Sequence, residues 1–311
     1  MVNSVAISGD ILYAAQGSKV YKILYDKNSS EIFKILLNKE ISLTHLGLSE
    51  DCKYLIGIGD VDKTVIVVDA ETLEVAYTHK FPKRPSAWST CKGNLVVADK
   101  FGDVFSVKLT EPLSDEARKN MEPILGHVSM ILDVVATENN VLTSDRDEHI
   151  RVCEYPNSFV IERFLLGSRS YIAHLGVSGN YLLSAGGDPV IYSWNWKTGK
   201  EISNFNLREY LKLDNDDIDV ISVSVTEKEA WVAVQGQPKV IKFTFPELEI
   251  VDAFETPHII NSLANNGTDC FAACPKGLIK VCKSASLSPY LELDGPEDIL
   301  SQTHLRKAPR N

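Results

Sequence analysis

The feature that most constrains the fold is a short run of small and apolar residues that recurs seven times. Each copy is followed by a turn and then by a second apolar run. The copies begin at Leu12, Leu55, Leu95, Val141, Leu182, Trp231 and Phe271. Successive copies are 43, 40, 46, 41, 49 and 40 residues apart, which matches the ~40–45 residues of a four-stranded propeller blade. The spacing predicts an all-β chain that forms a seven-bladed β-propeller.

Two of the copies carry the WD-repeat pattern in detail. Blade four has Gly126-His127 followed by Asp147, and blade five has Gly167-Ser168 followed by Asp188. A carboxylate at the turn between the second and third strands can accept hydrogen bonds from backbone amides and from a nearby His or hydroxyl. We therefore predict that His127, Asp62, Asp147 and Asp188 are structural residues. Because the carboxylates recur at blade spacing, they point to separate blades rather than to one catalytic pocket.

The repeat occupies nearly all of the sequence. Seven blades of about 43 residues need roughly 300 residues, and the chain has 311. We predict one propeller domain over residues 1–295 and a polar C-terminal tail over residues 296–311, with no separate enzyme domain. Helical patterns at 114–121 and 207–213 predict two short helices in loops. Two ways of closing the ring stay open: residues 288–292 supply the last outer strand, or the N-terminus does.

Charge and composition argue against several classes of protein. The chain carries 32 Lys and Arg against 42 Asp and Glu, a formal net charge of −10, whereas nucleic-acid binding needs an excess of cations. A local basic patch is still allowed. No apolar stretch reaches the ~18 residues of a membrane span, and the first residues do not resemble a signal peptide. The six cysteines are scattered, so we expect neither a zinc site nor a disulfide framework.

The sequence motifs of common enzyme classes are missing. We find no dinucleotide-binding glycine pattern, no P-loop and no Gly-x-Ser-x-Gly elbow. The segment Gly186-Gly187-Asp188 resembles a phosphate-binding loop only weakly, because it lies between two strands and not at the start of a helix. The sequence therefore predicts a chain with no catalytic, cofactor-binding or metal-binding residues, whose loops and rim bind partners.

The stretch from Ala98 to Leu166 carries a more specific signal than the repeat. It contains Asp99-Lys-Phe-Gly-Asp-Val104, then Gly126-His-Val-Ser-Met-Ile-Leu-Asp133, then Asp145-Arg-Asp-Glu-His-Ile-Arg-Val152. This combination closely resembles the non-catalytic WD-repeat subunit of eukaryotic tRNA (guanine-N7-)-methyltransferase. The family often has Gly-His where this chain has Gly167-Ser168, so we expect the loop into blade five to differ in shape.

The resemblance implies a partner and a function. The partner would be a catalytic subunit with a Rossmann fold that binds S-adenosylmethionine and transfers the methyl group. In a heterodimer, this chain would stabilise and orient that subunit and so support N7-methylguanosine formation in the tRNA variable loop. The resemblance also implies that tRNA is contacted mainly through the partner and that the complex works in the nucleus, with the cytoplasm as a second location. The lack of a membrane-length apolar stretch predicts that no membrane is involved.

Two other classes of function stay open from the residues alone. A general interaction scaffold in another complex fits any WD propeller, because blade geometry does not specify partners. A propeller enzyme would need His, carboxylate or metal ligands that converge on the central channel from several blades. The seven histidines are predicted to lie mostly in loops at unrelated blade positions, which argues against that enzyme.

We place the partner contact on the loop between blades four and five. This loop, residues 166–171, presents Arg169 and Tyr171, with His174 just beyond, while Arg163 and Lys197 lie in adjacent strands or turns. A cluster of cations runs against the acidic trend of the chain, and Arg and Tyr are enriched at interface hot spots. Solvated surface charge is the plain alternative for each residue. The predicted partner-binding set is Arg163, Arg169, Tyr171, His174 and Lys197.

Overall fold

Seven four-stranded antiparallel sheets make up the fold, and each sheet is one blade with its strands in chain order. The computed structural model describes residues 2–25, 30–36, 42–59, 63–213, 218–275, 277–281 and 291–292, with the backbone alone at 25, 30–36 and 291–292. The first strands of successive blades pack against one another and form the inner ring. The prediction of an all-β, seven-bladed propeller is confirmed.

The strands of the first four blades have the following bounds. Blade one contains β1 (Ser4–Ser8), β2 (Ile11–Gln16), β3 (Lys19–Tyr25) and β4 (Ser30–Leu36). Blade two contains β5 (Leu43–Leu48), β6 (Tyr54–Gly59), β7 (Thr64–Asp69) and β8 (Val75–Lys80). Blade three contains β9 (Pro85–Cys91), β10 (Asn94–Asp99), β11 (Asp103–Lys108) and β12 (Leu125–Gly126). Blade four contains β13 (Ile131–Ala136), β14 (Asn140–Asp145), β15 (Ile150–Glu154) and β16 (Ile161–Leu165).

The remaining three blades complete the ring. Blade five contains β17 (Ile172–Ser178), β18 (Tyr181–Gly186), β19 (Val190–Asn195) and β20 (Lys200–Asn206). Blade six contains β21 (Val220–Val225), β22 (Glu229–Val234), β23 (Lys239–Thr244) and β24 (Ile250–Glu255). Blade seven contains β25 (Ser262–Asn265), β26 (Cys270–Cys274), β27 (Gly277–Val281) and β28 (Leu291–Glu292).

The recurring apolar runs are the second strands of the blades, as their spacing predicts. These strands are buried along nearly their whole length because the blades on both sides cover them. Between blades two and three, for example, Ile56 and Val67 pack with Leu95 and Phe105. A strand with both faces covered reads as a continuous apolar run rather than as an alternating one, which is why the repeat is visible in the sequence.

The ring closes by packing blade seven against blade one. Strand β28 pairs with β27 through Leu278 and Leu291, so the C-terminal region supplies the last outer strand and the first of the two alternatives holds. Strand β1 is the inner strand of blade one and packs against β25. The Asn261 side chain donates to the Val2 carbonyl at 2.9 Å. The predicted tail over residues 296–311 lies outside the described residues.

Polar side chains on the inner strands link each of several blades to the next one. In five places within the described residues, a backbone N–H of one inner strand donates to a side-chain oxygen of its neighbour. The pairs are Leu46 to Ser4 Oγ (3.0 Å), Ala136 to Ser89 Oγ (3.0 Å), Leu175 to Asp133 Oδ2 (2.7 Å), Leu263 to Ser222 Oγ (2.9 Å) and Val5 to Ser262 Oγ (3.4 Å). Asp133 is the one carboxylate among these five acceptors. Burial raises its pKa to about 7, although two backbone amides oppose the shift.

Two short helices interrupt the strands where helical patterns predict them. Helix α1 (Asp115–Lys119) lies between β11 and β12, and its N-cap Ser114 accepts from the Ala117 amide at 3.1 Å. Helix α2 (Leu207–Leu211) follows β20 and is capped by Asn206. Among the described residues, neither helix is long or apolar enough to cross a membrane.

Candidate partner-binding surface

The connections from each outer strand to the next blade share one end of the propeller with the turns between second and third strands. We call this end the loop face. In blades three to five it consists of residues 81–84, 100–102, 127–130, 146–149, 166–171 and 187–189. Turns 137–139, 179–180 and 196–199 lie at the opposite end. The loop face is where this fold displays side chains that do not pack between blades.

A buried carboxylate holds the loop face of blade four. Asp145 Oδ2 lies 3.0 Å from His127 Nδ1, and His127 Nε2 lies 2.7 Å from the Thr143 hydroxyl. The other oxygen of Asp145 accepts from the amides of Asp147 and His149, both at 2.9 Å. Burial alone would raise the pKa of Asp145, but the hydrogen bonds from His127 and the His149 amide outweigh it and hold the pKa below its usual value.

This geometry corrects one residue of the structural set. The sequence interpretation gave Asp147 the role of the turn-fixing carboxylate, but Asp145 fills it, and Asp147 contributes a backbone amide to that network. The mistake is one of register, because Asp145 and Asp147 flank Arg146 in the same turn. His127 lies where a structural residue should, with only 1% of its side chain exposed. The Asp–His–Thr chain is therefore closed to substrate.

Equivalent carboxylates hold the neighbouring blades. Asp188 accepts from the amides of Arg169 at 2.5 Å and Val190 at 2.9 Å, and Ser168 Oγ lies 3.4 Å from its Oδ2. In blade three, Asp99 accepts from the amides of Phe101 at 2.7 Å and of Asp103 at 3.1 Å. Sequence reasoning did not single out Asp99, although Asp99 is the last residue of β10 just as Asp145 is the last residue of β14. Asp62 lies outside the described residues.

The predicted partner-binding residues do not form one cluster. Arg169 is exposed on the loop face. Lys197 lies in the turn at the opposite end of blade five, and the Arg163 guanidinium donates to its carbonyl. Arg163 also approaches Glu162 at 3.3 Å. Arg163 and Lys197 thus belong to the outer edge between blades four and five, away from Arg169.

Tyr171 lies in the interior, and His174 is half-buried on the inner ring. Tyr171 is 2% exposed, and its hydroxyl donates to Asp219 at the entry to blade six, so the expectation that it is presented on the surface is wrong. His174 lies on inner strand β17. Burial and the nearby His45 lower the pKa of His174 to about 4, against hydrogen bonds with the backbone of blade six. Both residues join blade five to blade six rather than presenting themselves to a partner.

Three of the six described histidines depart from the expectation that they lie in loops. His45, His79 and His174 lie within strands and not in loops, and two of these strands, β5 and β17, belong to the inner ring. Even so, no group of three or more His, Cys, Asp or Glu side chains in the described part of the chain could hold a metal ion. The positions of the histidines therefore do not build a metal centre there.

The outer edge of blade four exposes the densest set of apolar side chains. We call this set the blade four edge: Phe159 (75% exposed), Val160 (41%), Ile161 (43%), Phe164 (43%) and Leu166 (65%). The guanidinium of Arg151 lies 5.6 Å from the Phe164 ring centroid, so a cation borders the apolar surface. Contiguous exposed apolar side chains mark interaction sites. Nothing in the sequence indicates this surface, because an apolar outer strand has the same residue pattern whether it is covered or not.

Comparison with known proteins gives one consistent family. The tRNA methyltransferase TRM82 WD40 domain family matches residues 25–123 and 113–263, together more than half of the chain. The chain is 42% identical over 183 residues to the tRNA (guanine-N(7)-)-methyltransferase non-catalytic subunit TRM82 of Debaryomyces hansenii, covering 54% of this chain and 41% of that one. It is 30% identical over 266 residues to the subunit of the same name from Candida glabrata, covering 72% and 63%.

The chain spans about half the length of the curated relatives it matches. Among solved structures, the propeller is similar to a chain of the mitotic checkpoint complex, with a TM-score of 0.73, 14% identity and coverage of 92% and 90%. It is also similar to the RRP9 WD40 repeats, with a TM-score of 0.73, 14% identity and coverage of 88% and 87%. At such low identity these two structures support the fold alone.

Proposed function

Since the chain belongs to the family of the tRNA methyltransferase TRM82 WD40 domain, we propose that it is the non-catalytic subunit of a tRNA (guanine-N7-)-methyltransferase. In this role it binds and orients a catalytic subunit and supports N7-methylguanosine formation in the variable loop of tRNA. Family membership favours this function over that of a general scaffold in an unrelated complex. The proposed catalytic subunit has a Rossmann fold, binds S-adenosylmethionine and forms a heterodimer with this chain.

The observation that carries the proposal is the blade four edge. A propeller of this kind buries its strands between blades, yet five large apolar side chains of residues 159–166 are between 41% and 75% exposed. At about 25 cal/mol per Å² of apolar area, covering such side chains stabilises a complex by several kcal/mol before the cost of association is subtracted. A protein partner that covers this edge accounts for the exposure.

Arg169 follows Leu166, the last residue of that edge, by three positions on the loop face and supplies a charge contact. Asp188 clamps the Arg169 backbone amide at 2.5 Å, while the side chain is exposed. The guanidinium is therefore presented from a fixed backbone position, which reduces the entropy lost when it binds a carboxylate. We assign Arg169 an ion pair with a carboxylate of the catalytic subunit. Breaking such a pair, if desolvated, costs about 2–5 kcal/mol.

The net charge of this chain indicates which subunit makes most of the contacts with tRNA. With a formal net charge of −10, this chain is a poor general binder of phosphates, so the catalytic subunit makes most of the tRNA contacts. The nucleus, with the cytoplasm as a second location, is the proposed compartment. The five cysteines among the described residues are free, which is compatible with reducing conditions there.

The test is co-purification of tagged variants with mass spectrometry of the captured proteins and an assay of tRNA N7-methylation. Wild-type protein should capture a Rossmann-fold methyltransferase and support methylation. Ile161→Asp should weaken the complex, whereas Val251→Asp should not. Val251 is the matched control because it is 49% exposed on the outer strand of blade six, against 43% for Ile161 on blade four.

Charge reversal tests the ion pair separately. Arg169→Glu should lose affinity for the partner by about 2–5 kcal/mol with an unchanged melting temperature, and a matching reversal on the partner should restore binding. If wild-type protein captures no methyltransferase, the proposed function is wrong. If it does, but Ile161→Asp and Arg169→Glu both bind at wild-type affinity, the partner contacts another surface.

A further inference from the structure

The loop-face corner of blade three combines a cavity, three cations and an exposed aromatic ring. We call it the blade three corner and define it by Lys83, Phe101, Asp103, Arg118 and Lys119. The cavity has a volume of about 340 Å³, and all of these residues except Phe101 line it. The Nζ of Lys83 lies 4.5 Å from the Phe101 ring centroid, so the ring adjoins the cavity. This volume lies within the ~300–1,000 Å³ of small-ligand pockets.

The cavity lies beside the shortened outer strand of blade three. Strand β12 has only two residues and pairs with β11 only at Asp103 and Val104. Residues 109–124 and helix α1 take the place of the rest of that strand. They leave a gap beside Phe105, walled by Met121 and Pro123. In blades one, two, four, five and six the outer strand has between five and seven residues.

The corner is fixed in place rather than loose. Asp99 accepts from the Phe101 amide at 2.7 Å. Gly102 has φ +100°, and a Cβ built on it would lie 2.5 Å from the His127 carbonyl oxygen and 2.8 Å from that of Ser129. The turn that carries Phe101 therefore packs directly on the next loop. Phe101 is nevertheless 65% exposed, so it is a rigid ring with an uncovered face.

The charge of the lining is positive on a chain that is acidic overall. Lys83, Arg118 and Lys119 face a single carboxylate, Asp103, in the lining. Arg118 is paired with Asp115 at 2.9 Å, whereas Lys83 and Lys119 form no ion pair within the described part of the chain. Lys83 and Lys119 are both exposed, so they can neutralise an external anion.

We propose that the blade three corner binds one unpaired nucleotide of the RNA substrate, an inference that rests on the proposed function. The base stacks on Phe101 beside the Lys83 ammonium. The two flanking phosphates are held by Lys83 and Lys119, with Arg118 at the cavity wall. Asp103 accepts a hydrogen bond from a ribose hydroxyl or from an exocyclic amine of the base.

The combination of groups selects this ligand over simpler anions. Free phosphate needs cations but no aromatic ring, and a carboxylate in the lining opposes it. Single-stranded RNA is recognised by aromatic stacking, cationic contacts to phosphates and hydrogen bonds to the 2′-hydroxyl and base edges. The corner supplies each of these groups. Blade three adjoins blade four, so a tRNA held by a subunit on the blade four edge lies close to the corner.

The test measures binding of a fluorescently labelled tRNA transcript by anisotropy, with this chain alone and with its complex. Phe101→Ala should weaken tRNA binding roughly fivefold to tenfold through the loss of stacking. Lys83→Glu combined with Lys119→Glu should weaken it by about tenfold or more and reduce the salt dependence by about two phosphate contacts. Lys228→Glu is the matched control, an exposed lysine at the opposite end of blade six.

Photocrosslinking gives a second measurement that does not depend on affinity. With 4-thiouridine in the tRNA, the peptide that contains Phe101 should be the crosslinked segment of this chain, and Phe101→Ala should remove the crosslink. Unchanged affinity in both variants together with no crosslink would overturn the inference, and so would variants that separate the two subunits, because the corner would then be a protein contact. A wild-type chain that captures no methyltransferase yet crosslinks at Phe101 contradicts only the proposed function.

Discussion

Replacing Asp145 by Ala is the most direct test of how the loop face is held together. Asp145 is 3% exposed and binds three donors: the His127 ring at 3.0 Å and the amides of Asp147 and His149 at 2.9 Å each. The variant removes every one of these contacts and leaves no acceptor of similar reach. It therefore exposes the full cost of unpaired donors rather than the net value of one hydrogen bond.

The loss of unfolding free energy in Asp145→Ala depends on how deeply each of the three donors is buried. His127 has only 1% of its side chain exposed, so its N–H stays buried without an acceptor and costs about 1–3 kcal/mol. The amides of Asp147 and His149 lie in a turn whose residues are half-buried or exposed. Water can therefore hydrogen-bond to them in part, and leaving each amide without Asp145 costs less free energy than leaving the buried His127 N–H unpaired. We expect Asp145→Ala to lower the free energy of unfolding by about 3 kcal/mol, which lowers the melting temperature by roughly 5 °C for a chain of this size.

Chemical denaturation at pH 7 measures this loss, and Asp147→Ala is the matched control. Asp147 lies two residues away in the same turn, and we expect its replacement to cost at most about 1 kcal/mol. The pKa of Asp145 is lowered in the folded state, so its contribution is present above the usual carboxyl pKa and is lost as the pH falls through the lowered value. Equal losses for the two variants, or a larger loss for Asp147→Ala, would refute this account of the turn.

Three further substitutions test the packing that supports the surface. Gly102→Ala should destabilise the protein by about 2 kcal/mol or more, whereas Gly93→Ala, also at positive φ but in open space, should cost only about 1 kcal/mol; melting temperatures compare them. Asp133→Asn puts an NH₂ group in place of one of the two oxygens that accept from the Val134 and Leu175 amides, so it should lower the free energy of unfolding by about 1 kcal/mol near pH 4. This loss should disappear at pH 8, where the wild-type carboxyl is ionised. The reason is that the raised pKa of Asp133 makes its contribution present at low pH and lost as the pH rises through about 7; an unaltered pH profile in denaturation titrations would contradict this. Tyr171→Phe removes the hydrogen bond to Asp219 and should cost about 1–2 kcal/mol without reducing partner affinity, which a co-purification measures.

The sequence predicts the architecture because the second strands are covered on both faces. Runs such as Leu95–Ala98 must be apolar throughout, so the spacing of the blades can be recognised from the sequence alone. The same property explains the error at Asp147. The repeat pattern places a carboxylate at the turn, but two acidic residues flank Arg146, and only the depth of the turn decides which of them is buried.

The candidate site was less predictable for a related reason. Tyrosine is a residue type that is common at interfaces, yet the Tyr171 hydroxyl donates a hydrogen bond to Asp219 on the next blade. Nothing near Tyr171 in the sequence indicates this bond. Conversely, Phe164 and Ile161 look like ordinary strand residues, and their exposure follows only from their position on an outer strand. Residue type decides how a side chain interacts, whereas blade position decides whether it faces a partner.

The turn carboxylates separate two kinds of residue on the loop face. Asp99, Asp145 and Asp188 fix the backbone of their loops through buried hydrogen bonds, so the side chains carried by those loops do not determine where the loops lie. Phe101 and Arg169 are two such side chains, and each is held by its amide to the carboxylate of its own blade. Because the two blades are fixed independently, replacing Phe101 should weaken the RNA contact alone, and replacing Arg169 the partner contact alone. Replacing a turn carboxylate should instead lower the stability of the chain and weaken the contact made by the loop of that same blade.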